Sequence, residues 1–493
     1  MRQAIHILKK DVRYLWIEIL LVLAANGLFA FIYTNQGFWH TKAQLPQTVA
    51  AFFISFLLPV SWWLLIVRAI HGEILTGDRE FWSTRPYRWQ SLLAAKLLFI
   101  LLFINLPIFA AQAGILVAHG FGLRAELPGL LWNQVLLTAV CFLPVAAVGT
   151  LTTGLVQFLL IGLIVWAALM LVSLRFSLVA AAMTGGGWGP MEWIPTTYTL
   201  IILAVAAPAL LFWQYARRWT LVARIAAGAV VIVVCLGAPL SWTQAFAVQS
   251  RMSRQPSAGA SVRAGWSTNL QWMTRALVRA GRSVELNIPL QLTGMADDLS
   301  AKPEGLGFSI EAPGGATWRS APASLRNVSA TGLLISLRSS IDPAFYRAFK
   351  DQPVTIRGDI YLTLYGNRRE SKVPIHGATT PVPAMGQCTA TGGPPATYFL
   401  SCEAGMRPRA AKVAVTFEPH PRVQTDFGFR FPPSYSPFPA ELSISPLSHA
   451  EAYSTYQGPL DAVTITSEEP VAYVRAPLLI EGLRLGSYES VMK

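Results

Sequence analysis

The sequence predicts an α-helical polytopic membrane domain of about seven transmembrane helices, residues 1–244, followed by an all-β, sandwich-like extracytoplasmic domain. The 493-residue chain is 53% apolar and only 13% charged, which is too hydrophobic for an ordinary soluble protein. Residues 1–244 hold 15 Lys and Arg and 7 Asp and Glu in long apolar runs, whereas the remainder holds 24 and 19. That remainder alternates apolar and polar residues in short runs, the pattern of β-strands.

Seven apolar runs match the roughly 20 helical residues that a bilayer core about 30 Å thick requires. Only the sequence GTLTTG at 149–154 separates the fourth run from the fifth, and we interpret it as a tight turn at the membrane surface. The N-terminus lacks a cleavage site of small residues, so no secretory signal peptide is expected. The predicted spans lie near Tyr14–Tyr33, Thr48–Val67, Leu97–Ala118, Gly129–Ala147, Leu155–Leu174, Tyr198–Trp213 and Ile225–Trp242.

The positive charges predict the orientation of these spans. When the loops are assigned alternately to two sides, twelve Lys and Arg fall on one side, and Lys42, Arg124 and Arg175 fall on the other. Cytoplasmic loops collect positive charge. We therefore expect an inner-membrane protein with a cytoplasmic N-terminus and an extracytoplasmic C-terminal domain. The net charge of +13 is explained in the same way, so a lipid bilayer and no nucleic acid is the expected partner.

The C-terminal half is predicted to contain one or two antiparallel sandwiches. Residues 245–261, rich in Ser, Gln, Ala and Arg, are interpreted as a linker. Runs such as SVELNIPLQL and VTIRGDIYLTLY then follow, separated by turns rich in Pro and Gly. The sequence HGATTPVPAMGQ at 376–387 suggests a seam between a first part, 262–380, and a second part, 381–493.

The four cysteines divide between the two regions. Cys141 and Cys235 lie inside apolar spans and are expected to be small buried side chains. Cys388 and Cys402 flank a segment rich in Gly and Pro, which closes easily into a loop. We predict a disulfide between them, which requires an oxidising compartment. The alternative is two free thiols in a cytosolic domain.

Catalytic signatures are absent from the sequence. It contains no GxxxxGK[ST] phosphate loop, no HExxH zinc motif and no GxSxG elbow. We therefore assign no catalytic residue, no metal ligand and no cofactor bound by this chain. Glu18 is the intramembrane polar residue of interest, expected to pair with Arg13 or with a neighbouring helix. Arg68 and Lys96 lie at span ends, where their side chains are expected to reach the membrane surface.

The segment GEILTGDREFWSTRPYRWQ at 72–90 is unusually rich in functional side chains for a connection between two spans. It holds three acids, three arginines and four aromatic residues. Arginine and aromatic residues together are typical of the centre of a protein–protein interface. An amphipathic segment resting at the lipid surface has a similar composition, so both interpretations stand on composition alone.

The sequence GDREFWSTRPYRWQSLLAAKLL resembles the segment after the second span of type-2 ABC exporter permeases. HILKKDVRYLW near the N-terminus is similar to the amphipathic helix that leads into the first span of such permeases, and the resemblance covers roughly residues 1–244. It implies that this segment docks on a separate cytoplasmic ABC ATPase, which would bind ATP and Mg. It also implies a second permease copy or a homologue. The residues implied in the ATPase contact are Glu73, Gly77, Asp78, Arg79, Phe81, Trp82, Arg85 and Pro86.

The resulting expectation is a membrane-spanning permease subunit of an ABC-type exporter that is not itself an enzyme. Seven spans instead of six, and a large soluble domain, depart from the usual pattern of that family. The alternative is a membrane-anchored extracytoplasmic binding or scaffold protein with a degenerate, non-transporting permease domain. An enzyme acting on lipid or an envelope polymer is a third possibility, for which Glu192 is the nearest candidate residue and has no obvious partner.

Overall fold

The computed structural model describes residues 2–34, 45–72, 88–165, 167, 170, 193–236, 242–279, 283–320, 325–327, 333–375, 377–383, 385–393, 397–406, 412–417, 444–454 and 461–492. Within these residues, helices dominate as far as Ser250 and strands begin at Arg263. The predicted change from a helical to a strand-rich region is therefore confirmed.

Four helices in the described part are long and apolar enough to cross a membrane, namely Trp16–Thr34, Trp89–Ala118, Leu123–Leu151 and Thr197–Arg217. The other three predicted spans coincide with shorter apolar stretches of helix, Phe56–His71, Leu155–Val165 and Thr220–Leu236. The complete bounds of the helices are α1 Arg2–Tyr14, α2 Trp16–Thr34, α3 Leu45–His71, α4 Trp89–Ile100, α5 Leu106–Ala118, α6 Leu123–Leu136, α7 Leu143–Leu151, α8 Leu155–Val165, α9 Trp193–Arg217, α10 Thr220–Leu236, α11 Trp242–Ser250 and α12 Pro343–Phe349.

Two of the long helices contain a wider, π-helical turn. Leu101–Asn105 joins α4 to α5, and Leu137–Phe142 joins α6 to α7. Each is followed by a proline at the second position of the next helix, Pro107 or Pro144. Proline lacks an N–H group and its ring clashes with the carbonyl one turn earlier. A wider turn relieves this clash, so the helix continues across each proline.

The predicted linker 245–261 is folded onto the strand-rich region in the structure. Its first residues belong to α11, where Phe246 is buried and its ring lies 4.8 Å from that of Tyr361. A short 3-10 turn follows at Pro256–Gly259. Gly259 lies so close to Val474 that a β-carbon there would overlap its side chain. This apolar packing is the reason that the segment is ordered although its composition resembles a linker.

Among the described residues, the strands form one eleven-stranded sheet and one four-stranded sheet. The large sheet has the order β15-β2-β3-β1-β14-β8-β4-β5, with β12 pairing β14 and with β6 and β7 added through β3; the small sheet has the order β13-β11-β10-β9. Their bounds are β1 Arg263–Trp266, β2 Arg275–Arg279, β3 Ser283–Thr293, β4 Ser300–Glu311, β5 Thr317–Arg319, β6 Leu325–Asn327, β7 Leu334–Ile341, β8 Val354–Pro374, β9 Thr380–Val382, β10 Gly386–Gly393, β11 Thr397–Ala404, β12 Lys412–Phe417, β13 Ser448–Ser454, β14 Ala462–Leu483 and β15 Glu489–Met492.

The predicted division at 380 and 381 does not separate the two sheets along the chain. The C-terminal strands β14 and β15 return to the large sheet, where β14 pairs with β8 and β15 pairs in parallel with β2. Both β8 and β14 contribute to two apolar cores, one around Leu362 and Leu478 and one around Val373 and Val463. The register shifts between Ser467 and Glu469, where Asn367 of β8 has a positive φ of 54°. This bulge marks the bend between the two cores.

Candidate functional site

The residues implied in the ATPase contact, Glu73, Gly77, Asp78, Arg79, Phe81, Trp82, Arg85 and Pro86, lie outside the described residues. The two ends of their segment are described. Gly72 directly follows α3, and its N–H donates to the carbonyl of Arg68. Arg88 directly precedes α4, and its backbone N–H donates to Gln3 Oε1 at 3.5 Å. The segment therefore ends beside the N-terminal helix α1.

Helix α1 is amphipathic. Its buried residues Ala4, Ile7 and Asp11 are three and four positions apart, and Leu15 continues the same stripe. This spacing places them on one helical face. The opposite face is exposed and basic, with Arg2, His6, Lys9, Lys10 and Arg13. One face of α1 thus packs on the bundle while the other faces away from it.

A buried ion pair connects α1 to α4. Lys96 Nζ donates to Asp11 Oδ2 at 2.7 Å, and the two side chains are only 4% and 5% exposed. Our expectation that Lys96 reaches the membrane surface was wrong, because the carboxylate of Asp11 holds its ammonium group inside the protein. Burying two charges is expensive unless they are paired with good geometry. The sequence signal for this pair was the position of Asp11 on the apolar stripe of α1.

Glu18 pairs with a neighbouring helix, the second of the two partners expected for it. Arg68 Nη2 near the end of α3 donates to Glu18 Oε1 at 3.2 Å. The two side chains are 47% and 30% exposed, respectively. Ion pairs with this much exposure contribute at most about 1 kcal/mol. This contact therefore orients α2 against α3 more than it stabilises the bundle.

The end of α7 is held by two other helices. His71 Nε2 at the end of α3 lies 3.1 Å from the carbonyl oxygen of Gly149 and 3.0 Å from Thr152 Oγ1. Arg224 of α10 donates to the carbonyl oxygen of Leu151 through Nε and Nη2, at 3.1 and 2.9 Å. The last carbonyls of a helix have no partner within the helix. These contacts satisfy two of them and fix the turn at 152–154 between α7 and α8.

The strand-rich region contacts a different set of helix ends. His119, directly after α5, lies with Nδ1 2.7 Å from Glu403 Oε2 of β11 and with Nε2 3.1 Å from the carbonyl oxygen of Tyr33 in α2. The hydrogen bond to Glu403 raises the pKa of His119, and burial opposes this effect. A β-carbon on Gly405 would come within 2.8 Å of the carboxyl group of Glu126 in α6. The strand-rich region and these helix ends are therefore in direct contact.

Cys388 and Cys402 form a disulfide in the structure. They are directly opposite each other on the adjacent antiparallel strands β10 and β11, and both are completely buried. The strand pairing thus brings the two sulfur atoms together, whereas the sequence indicated only a loop that closes easily. Cys141 and Cys235 are free and half-buried.

Within the described ranges, no group of three or more His, Cys, Asp and Glu is placed to hold a metal ion. No protein-family model matches the chain, and no curated protein matches it.

Proposed function

We propose that this chain is the membrane-spanning permease subunit of an ABC-type exporter, driven by a separate cytoplasmic ATPase. The observation that carries the proposal is the buried pair of Asp11 and Lys96, which fastens the amphipathic helix α1 to α4. Because α4 begins directly after the segment 72–88, a force on that segment or on α1 acts on the same span. A rigid connection of this kind is what transmission of movement into a membrane domain requires.

The proposed topology has seven spans, with the N-terminus in the cytoplasm and the strand-rich domain outside the inner membrane. The twelve-to-three distribution of basic residues supports this orientation. The disulfide of Cys388 and Cys402 is consistent with it, because such bonds persist in oxidising compartments. In the part of the chain that the structure describes, four membrane-length helices and three shorter apolar ones follow the order of the seven proposed spans.

The proposed mechanism places the chemistry in the partner. ATP and Mg bind to the cytoplasmic ATPase subunits, and their closure pushes on α1 and on the segment that contains Asp78 and Arg85. The buried pair of Asp11 and Lys96 passes this movement to α4, and Arg68 with Glu18 passes it to α2 and α3. Tilting of these spans opens a path between this chain and a second permease copy or a homologue.

The proposal is tested by purifying the tagged chain from its native membrane and identifying the proteins that accompany it. We expect an ATPase with a phosphate loop to co-purify with the wild-type chain and to be lost from an Asp78→Ala, Arg85→Ala variant. The matched control is Arg368→Ala, Glu370→Ala, which removes an exposed ion pair in the strand-rich region and should retain the ATPase. Equal recovery of the ATPase with both double variants would refute the contact.

A second candidate function is a membrane-anchored scaffold or binding protein. It is favoured by the contacts of Glu403 and Gly405 with helix ends, because they attach the outer strands firmly to the bundle. A scaffold tolerates substitution of Asp78 and Arg85 and needs no ATPase. Recovery of the intact wild-type chain without an ATPase would therefore favour this function.

A further inference from the structure

A row of uncharged polar side chains lies inside the helical bundle. It is located between the continuous helix formed by α4 and α5 and the one formed by α6 and α7. Thr138 Oγ1 lies 3.1 Å from Asn105 Oδ1 and 2.7 Å from the carbonyl oxygen of Gln134, and so connects the two π-helical turns. Gln134 Nε2 donates to Gln112 Oε1 at 2.9 Å, and Asn133 Nδ2 lies 3.5 Å from the same oxygen. We call these five residues the polar row. Polar groups within membrane-spanning helices are expensive and commonly mark a functional path.

A segment of the strand-rich region enters the bundle and completes this row. Gln112 is completely buried, six residues before the end of the membrane-length helix Trp89–Ala118, which corresponds to a depth of about 9 Å. Its Nε2 donates to the carbonyl oxygen of Ile444 at 2.8 Å. Leu447 is buried in the same apolar core as the helices. Irregular backbone is tolerated at such depth only where its polar groups are satisfied.

The polar row also contains an unused acceptor. Gln134 Oε1 is buried and has no hydrogen-bond partner among the residues that the structure describes. Uncharged polar side chains that serve only to hold helices together would be expected to satisfy one another. Here the row needs Ile444, from outside the bundle, for one donor, and it leaves one acceptor open. The donor belongs to Gln112 and the open acceptor to Gln134, two side chains that are hydrogen-bonded to each other, and together they match a ligand group that carries both a donor and an acceptor.

From this arrangement we propose that the polar row is a substrate-binding site for a neutral group with both a hydrogen-bond donor and an acceptor, such as an amide or a hydroxyl. In the present conformation, the carbonyl oxygen of Ile444 accepts the hydrogen bond from Gln112 Nε2. This donor is then not available to a ligand, so the site is closed. The row consists of amide and hydroxyl side chains without a charge, which selects against charged groups. The substrate role rests on the proposed export function, whereas the closure of the site does not.

The closing segment 444–447 leads into β13, which pairs with β11, and two contacts connect the end of β11 to the helices. The pair of His119 and Glu403 connects β11 to the end of α5, and Gly405 lies against Glu126 of α6. Breaking them should release Ile444 from Gln112 without any change to the polar row itself. A valine at position 405 would do so at the contact between the end of β11 and α6, because its side chain would displace the carboxyl group of Glu126. Leu447→Asp would do so from the core.

The test measures the access of water-soluble reagents to position 134. The full-length chain carries Gln134→Cys with Cys141→Ser and Cys235→Ser, and is treated in membranes with methanethiosulfonate reagents of similar size bearing a hydroxyl, a trimethylammonium or a sulfonate group. We expect slow labelling in this parent and labelling at least about tenfold faster after either Gly405→Val or Leu447→Asp. In those variants the hydroxyl reagent should react about tenfold faster than both charged reagents.

Three results would overturn the inference. Equally fast labelling of the parent would mean that Ile444 does not close the site. Absence of labelling in both opened variants would identify the row as a sealed helix contact, and faster reaction of a charged reagent would exclude a neutral site. The Gly405→Val variant acts at the contact between the end of β11 and α6, outside the polar row, so it keeps the test valid if Leu447→Asp fails to fold. The assay needs neither nucleotide nor ATPase, so its failure is distinguishable from failure of the export proposal.

Discussion

At the scale of single residues, Asp11 and Lys96 have the greatest energetic consequence among the contacts of α1. Their sequence positions predicted the burial of Asp11 but not its pairing with Lys96. Helical spacing predicts that Asp11 lies on the buried face of α1, but only the packing of α1 against α4 identifies Lys96 as its partner. By contrast, the partner of Glu18 was limited in advance to Arg13 or a neighbouring helix. A polar residue on an apolar stripe is therefore predictable, while its partner depends on tertiary contacts.

Replacing Lys96 alone should be strongly destabilising. Lys96→Met leaves the carboxylate of Asp11 buried without its cation, which costs about 3–5 kcal/mol. The double variant Asp11→Leu, Lys96→Met removes both charges and should recover most of this loss. Arg68→Met, at the exposed pair with Glu18, should change stability by less than about 1 kcal/mol. The stabilities of the three variants are compared through their unfolding midpoints in detergent. A loss of stability in Lys96→Met as small as that in Arg68→Met would contradict the account.

At the scale of elements, the contact between α5 and β11 should depend on pH. The groups that face His119 are Glu403 of β11 and the backbone of Tyr33 and Thr34. The hydrogen bond to Glu403 raises the pKa of His119 above the ordinary value of 6.5. The stabilisation is therefore complete below about pH 6.5 and is lost as the pH rises through the raised pKa.

The variant Glu403→Gln tests this dependence. A charged hydrogen bond of this kind contributes about 1.5–3 kcal/mol. We expect Glu403→Gln to lower the unfolding midpoint clearly at about pH 5.5 and much less at about pH 9. The wild-type chain measured at each pH is the reference, and Arg368→Gln in β8 is the control. If Glu403→Gln lowers the unfolding midpoint by the same amount at both pH values, the proposed protonation of His119 is contradicted.

The pairing of β10 with β11 should depend on the disulfide of Cys388 and Cys402. The bond spans 14 residues of sequence, and closing a loop of this length stabilises the folded state by about 3 kcal/mol. Cys388→Ser, Cys402→Ser should therefore make the small sheet more sensitive to protease. The control Cys141→Ser, Cys235→Ser should not. If all four cysteines react with an alkylating reagent in native membranes without reduction, the alternative of free cytosolic thiols is correct.

At the scale of the whole molecule, composition predicted the division into helical and strand-rich regions because burial in lipid and burial in a sheet require different patterns. Long-range pairing was not predictable in the same way. The return of β14 to pair with β8, and of β15 with β2, joins residues far apart in the sequence. Local composition therefore indicated a seam at 376–387. In the structure, the long strands β8 and β14 instead contribute residues to both apolar cores. The insertion of Ile444 beside Gln112 likewise has no local sequence signal.

The central claim is that ATP hydrolysis in a separate subunit drives this chain through α1 and the segment after α3. The most direct test is the rate of ATP hydrolysis in the fraction that contains the tagged chain, purified in mild detergent from its native membrane. The account predicts hydrolysis that co-elutes with the wild-type chain and is lost with Asp78→Ala, Arg85→Ala. A folded, intact wild-type chain that elutes without any ATPase activity would contradict the account and leave the scaffold function as the better explanation.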